Sequence, residues 1–149
     1  MCCSMSNLIE FNVDGKVVPM PRPRVVTSEV TGKTRAYNSK KSKAYKRIVK
    51  MMAISAMNSK RMRLTHKPLE VSIYCYFAPP KSYTKKKLKQ IETGELRYTK
   101  KPDLDNIAKT ILDAMNGVVY HDDSQIGRLF VSKDYSDKDF VVVKINELD

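Results

Sequence analysis

The sequence predicts a single α+β domain spanning residues 1–149. Three observations carry that reading. Strand-like alternation is concentrated toward both ends of the chain, two amphipathic helical patterns occupy the interior, and no repeat or interdomain linker divides them. A length of 149 residues with 42% hydrophobic and 30% charged content suits one domain with one packed core.

Residues 1–6 show no pattern and are expected to be disordered. Leu8 to Val13 alternates as a strand with Ile9, Phe11 and Val13 on one face. Asp14-Gly15 is a turn signal, and Lys16-Val17-Val18 is expected to begin a returning strand. Pro19, Pro21 and Pro23 then hold the backbone extended and exclude a helix. Arg22 and Arg24, two apart on such a segment, point the same way. They make either a phosphate-gripping arm or an ordinary proline-rich edge. Thr27 to Asn38 reads as a loop or small hairpin.

Ser39 is a suitable N-cap for a helix from Lys40 to about Met57. Its apolar stripe is expected to be Tyr45, Ile48, Val49, Met52 and Ala56. Lys43, Lys46, Arg47 and Lys50 fall elsewhere on the helix, either solvated or following phosphates. A basic loop, 58–67, leads to Leu69–Phe77, the clearest strand of the chain, with Leu69, Val71, Ile73, Cys75 and Phe77 on one face. Pro79-Pro80 stops it. The basic segment 81–101 is expected to be mobile. It carries a short helix capped by Ser82 or Thr84, running to about Ile91 and closed by Gly94.

Asp103 is a natural N-cap for the second long helix, whose stripe is Leu104, Ile107, Ala108, Ile111, Leu112 and Met115, with Gly117 just past its end. Val118-Val119-Tyr120 is expected to re-enter the sheet. Ile126–Val131 and Phe140–Ile145 read as two strands joined as a hairpin across 134–139.

Charge narrows the function. The net charge is +12, and residues 16–67 hold fifteen Lys or Arg against one acid, Glu29. Such a surface is either simply solvated or made for a polyanion. Three cysteines, Cys2, Cys3 and Cys75, in no CxxC spacing, with only His66 and His121 beside them, argue against a structural zinc and suit a reducing compartment. With no leader pattern and no membrane-length apolar run, the expectation is a cytoplasmic protein with no membrane partner.

Against this basic background, residues 100–125 carry Asp103, Asp105, Asp113, Asp122 and Asp123. Each acid has an ordinary explanation alone: a cap, a helical ion pair of Asp105 with Lys109, a turn at Asp122-Asp123. Together they suit a divalent cation. Mg²⁺ takes hard oxygen ligands, commonly one or two carboxylates with water and substrate phosphate. Asp103 and Asp105 at the positive end of a helix, joined by Asp123, make the expected metal site. Lys109, one turn from Asp105, is placed to stabilise charge on a scissile phosphate. Asp113 is left outside the site.

The stretch KPDLDNIAKTILDAMNGVVYHDDSQI closely resembles the signature of the RusA family of Holliday-junction resolvases. GKVVPMPRPRV, YNSKKSKAY and the strand Leu69–Phe77 resemble its phage-borne branch more weakly. The resemblance implies a small homodimer with a mixed sheet and helices packed on it. It also implies symmetric cleavage of four-way DNA junctions with Mg²⁺, or Mn²⁺ in its place, and no small-molecule cofactor. It matches the family's catalytic aspartates to Asp103, Asp105 and Asp123, and its functional lysine to Lys109. DNA contacts are expected from Arg22, Arg24, Lys40, Lys41, Lys100 and Lys101. Pro102 stands where some members carry a basic residue. Two other readings compete: a non-catalytic DNA- or RNA-binding protein, and a basic module for an acidic protein partner. The first explains the net charge but not the acidic cluster.

Overall fold

The computed structural model describes residues 7–20, 25–27, 34–36 and 40–148. Strands β1 (Asn7–Asp14), β4 (Leu69–Phe77), β5 (Ile126–Tyr135) and β6 (Phe140–Glu147) form a mixed sheet in the order β1-β6-β4-β5. The pairs β1/β6 and β6/β4 are antiparallel, and β4/β5 is parallel. A separate antiparallel pair, β2 (Val25–Thr27) with β3 (Thr34–Ala36), supplies the small hairpin expected before the first helix. Helices α1 (Lys40–Ser59), α2 (Lys85–Thr93) and α3 (Leu104–Met115) complete the domain. This is the α+β class read from the sequence, with a core on one face of the sheet.

That face is built by alternation. Ile9, Phe11 and Val13 of β1, Leu69, Val71, Ile73, Cys75 and Phe77 of β4, and Val141, Val143 and Ile145 of β6 are all buried. Tyr45, Val49, Ala53 and Met57 of α1 and Ile107, Ile111, Ala114 and Met115 of α3 join them in one cluster. Burial of the Cys75 thiol pushes its pKa up to about 12.

Five sequence expectations need correction. The buried row of α1 is Tyr45-Val49-Ala53-Met57, spaced by four, whereas Ile48 and Met52 are 47% and 38% exposed. Helix packing selects one i, i+4 ridge, and the row through Tyr45 and Met57 is the one packed into the core with the sheet and α3. In α3, Leu104 is likewise 41% exposed, because it lies at the helix start beyond the packed stretch. Lys16–Val18 is not a strand: β1 pairs with β6, Gly15 N–H donates to Asp139 O (3.1 Å), and Val17 buries into the core instead. Val118–Tyr120 does not re-enter the sheet. Tyr120 makes only single bridges to Thr65 and Asn116.

The fifth correction concerns connectivity. β5 and β6 do not form a hairpin, because β4 lies between them. Their connection arches over the end of β4, where Ser136 N–H donates to Phe77 O (2.9 Å) and Ala78 N–H donates to Asp139 Oδ1 (2.8 Å). The β4/β5 pair, being parallel, needs a long crossover, and residues 78–125 with α2 and α3 supply it.

The segment expected to be mobile contains α2, capped by the Thr84 side chain on Lys87 N–H (3.3 Å) and closed by Gly94 at φ 80°. No residue of α2 is buried. No helix among the described residues is long and apolar enough to cross a membrane.

Candidate active site

Asp103 occupies the N-cap position of α3 with an extended backbone, but its side chain makes no capping hydrogen bond. Asp105 follows in the first turn, and Lys109 one turn later; all three are exposed. Asp105, Lys109 and Asp113, at i, i+4 and i+8, lie along one face of α3. Its third member, Asp113, pairs with Lys46 of α1 at 3.5 Å. Met20 N–H reaches Asn106 O (3.3 Å), so the segment after Gly15 runs beside the start of α3.

The approach to Asp103 is bound from below. Tyr98 stacks on Phe77, with centroids 4.1 Å apart and planes 9° from parallel, and its hydroxyl donates to Lys101 O (2.7 Å). Lys133 Nζ donates to Lys100 O (2.8 Å) and Pro102 O (3.0 Å). Lys100 and Lys101 keep their side chains exposed. The Lys100 ammonium lies 5.2 Å from the Tyr83 ring centre, and its hydrogen bond lowers the pKa of the Tyr83 phenol.

Asp122 and Asp123 follow the far end of α3. Tyr120 is fully buried, and its hydroxyl donates to Leu112 O (2.6 Å), supplying one of the carbonyls left over at that end. Burial raises the Tyr120 pKa, and the charges of Asp123, Asp113 and Asp122 add to the rise, which places these acids around the same end. Asp122 caps the 3-10 turn Asp123–Gln125 by accepting from Ser124 N–H (3.3 Å), and its hydrogen bonds with Ser124 lower its pKa. Gln125 Oε1 accepts from His121 N–H (2.8 Å) and Asp122 N–H (3.0 Å), while Nε2 donates to Thr65 O (2.9 Å) and Lys67 O (3.1 Å). One amide thus ties the acidic turn to the loop before β4.

A helix of twelve residues rises about 18 Å. Asp103 and Asp105 stand at one end of α3, and Asp123 beyond the other. Among the described residues, no group of three or more His, Cys, Asp or Glu is placed to share a metal ion.

The family model for endodeoxyribonuclease RusA matches residues 14–146. The chain belongs to the RusA family. It is also 39% identical over 142 residues to the uncharacterized protein YqaN of Bacillus subtilis (strain 168), covering 94% of this chain and 96% of that one.

Set against the RusA resemblance, the sequence-derived residues fall into four groups. Asp103, Asp105 and Lys109 share one exposed helix start, and Lys100 and Lys101 adjoin it. Lys40 and Lys41 are exposed at the start of α1. Asp123 is exposed but lies apart from the other two acids. Arg22 and Arg24, with Ser39, Cys2, Cys3 and residues 1–6, are outside the described residues. Sequence reasoning gave no role to Gln125 or Lys133. The Gln of DDSQ was visible as part of the motif. Lys133 lies in β5 beyond the Ile126–Val131 stretch that reads as a strand, and nothing local marks it.

The acid pair fits a hard divalent ion, for which one or two carboxylates suffice when phosphate and water complete the shell. Among the described residues, Asp103, Asp105 and Asp123 of one chain do not form a three-carboxylate group.

Proposed function

We propose that this protein is a Mg²⁺-dependent endonuclease that resolves four-way DNA junctions as a homodimer in the cytoplasm, with Mn²⁺ able to substitute. The observation that carries the reading is the exposed Asp103/Asp105 pair at the start of α3, in a chain matched by the RusA endodeoxyribonuclease model over residues 14–146. Asp103 and Asp105 would hold the ion at the positive end of the helix. The third carboxylate would come from Asp123 of the partner subunit, since α3 separates the two ends within one chain. Bound Mg²⁺ would supply an activated water and neutralise phosphate charge. Lys109, one turn from Asp105, donates to a non-bridging phosphate oxygen. Lys100, Lys101, Lys40 and Lys41 neutralise the flanking backbone, and so do Arg22 and Arg24. Two sites related by a two-fold axis suit two symmetric cuts.

The test is cleavage of a labelled four-way junction beside linear duplex, with and without Mg²⁺. It uses wild type, Asp103→Asn, Asp123→Asn and a refolded mixture of the two variants. Each variant alone should bind the junction without cutting it. The mixture should regain cutting, because a mixed dimer has one site with both acids intact. Variants that stay inactive when mixed, with mixed dimers shown to form, would refute the two-chain site. A wild type that binds but never cuts would favour the non-catalytic DNA-binding reading, to which the separation of the acids lends weight.

A further inference from the structure

Lys133 lies on the helix-facing side of β5, opposite the buried Cys75 of β4. No ion pair is recorded for it among the described residues. Its ammonium group is turned inward onto two main-chain oxygens, Lys100 O at 2.8 Å and Pro102 O at 3.0 Å. It also stands 5.5 Å from the centre of the Tyr98 ring. The Tyr98 hydroxyl takes the oxygen between them, Lys101 O, at 2.7 Å. Three consecutive carbonyls are therefore held from beneath by two side chains. The next residue is Asp103. Lysine side chains at a DNA-binding surface ordinarily reach outward to phosphates. This one spends two of its three donors on backbone instead.

We infer that Lys133 is a positioning residue for the metal-binding acids: by gripping the carbonyls of Lys100 and Pro102 it fixes the backbone that presents Asp103 and turns the Lys100 and Lys101 side chains outward. The inference rests on the nuclease reading for its consequence, but its geometry is independent of it. An ion coordinated by exposed carboxylates needs them held within about half an ångström of the productive geometry. Asp103 heads a helix directly after the three gripped carbonyls, so the ledge before it bears on its place. Groups that orient ligands in this way typically contribute about 10–100-fold to metal affinity or activity.

The experiment compares wild type with Lys133→Met, Lys133→Arg and Tyr98→Phe. Four quantities are read: hydrogen exchange across 99–106, Mn²⁺ binding to the protein alone by electron paramagnetic resonance, junction binding without metal, and single-turnover cleavage. Lys133→Met should accelerate exchange in 99–106 while leaving β4 and α1 unchanged. It should weaken Mn²⁺ binding and slow cleavage by about 10–100-fold, with junction affinity within about threefold. Lys133→Arg keeps donors for both carbonyls and should recover part of the loss. Tyr98→Phe, which frees only Lys101 O, should act in the same direction and less. Unchanged exchange in 99–106, or faster exchange there with Mn²⁺ binding intact, overturns the inference. If Lys133→Met accelerates exchange everywhere, a Tyr98→Phe protein with normal Mn²⁺ binding overturns it as well. A wild type that neither binds Mn²⁺ nor cuts would instead sink the nuclease reading, and would be recognised because local exchange in Lys133→Met would still rise.

Discussion

Gln125→Glu isolates what the last residue of the DDSQ motif does. The substitution preserves the shape of the side chain. One oxygen can still accept from His121 and Asp122 N–H, at the 2.8 and 3.0 Å of the native bonds. The other replaces the amide nitrogen that donates to Thr65 O and Lys67 O at 2.9 and 3.1 Å. Two hydrogen bonds are lost and a carboxylate oxygen faces two carbonyls. At about 1 kcal/mol net for each bond, the cost is about 2 kcal/mol, with repulsion adding to it. In a domain of this size that lowers Tm by about 4–8 °C. Protonating the new carboxyl restores one donor. The folded variant therefore binds that proton more tightly than the unfolded chain does, and the penalty shrinks as pH falls through the carboxyl range. The assay is thermal melting of both proteins at neutral pH and near pH 4.5, followed by circular dichroism. Cleavage should fall too, since the clamp carries Asp123. A variant that melts within about 1 °C of wild type at neutral pH would refute the reasoning.

Two further outcomes follow from the structure. Burial pushes the Cys75 thiol from 9.0 up to about 12, so its contribution is intact below about pH 9 and is lost as pH rises toward 12. Between pH 9 and 11 wild type should lose about 2–3 kcal/mol more stability than Cys75→Ala, and parallel denaturation curves across that range would show the thiol to be irrelevant. Replacing both Lys100 and Lys101 by Ala should weaken junction binding and flatten the dependence of log K on log salt by about two units. An unchanged slope would mean that neither side chain neutralises a phosphate.

Much of the fold was legible because it is written in short-range periodicity. Period-two alternation marked β1 and β4, and the turn chemistry of Thr84 and Gly94 marked α2. A period near 3.6 located α1 and α3. The period did not fix which ridge of α1 is buried, because both candidate rows are apolar and packing against the sheet and α3 decides between them. Of the site, the carboxylates, Lys109 and the basic residues before Asp103 were readable as a motif. Lys133 and Tyr98 were not, because their function is to hold main-chain oxygens. A main-chain oxygen has no residue type to recognise.

The misread hairpin and the wide spacing of the acids have one cause. Neighbouring strands in sequence usually pair, so β5 and β6 invited a hairpin. Inserting β4 between them makes β4 and β5 parallel. A parallel pair obliges the chain to travel from the end of β4 back to the start of β5, and α3 makes that return journey. Asp103 stands where the return begins, at the level of Lys133 and Phe77. Asp123 stands where it ends, beside Thr65 and the start of β4. Twenty residues of sequence that look like one cluster are therefore spread along the length of the sheet. Under the proposed function, acids so separated would serve one ion only if the partner's Asp123 came to Asp103. The topology that separates the acids within one chain would then make the dimer the smallest unit able to cut, and would tie each cut to the two-fold symmetry of the junction.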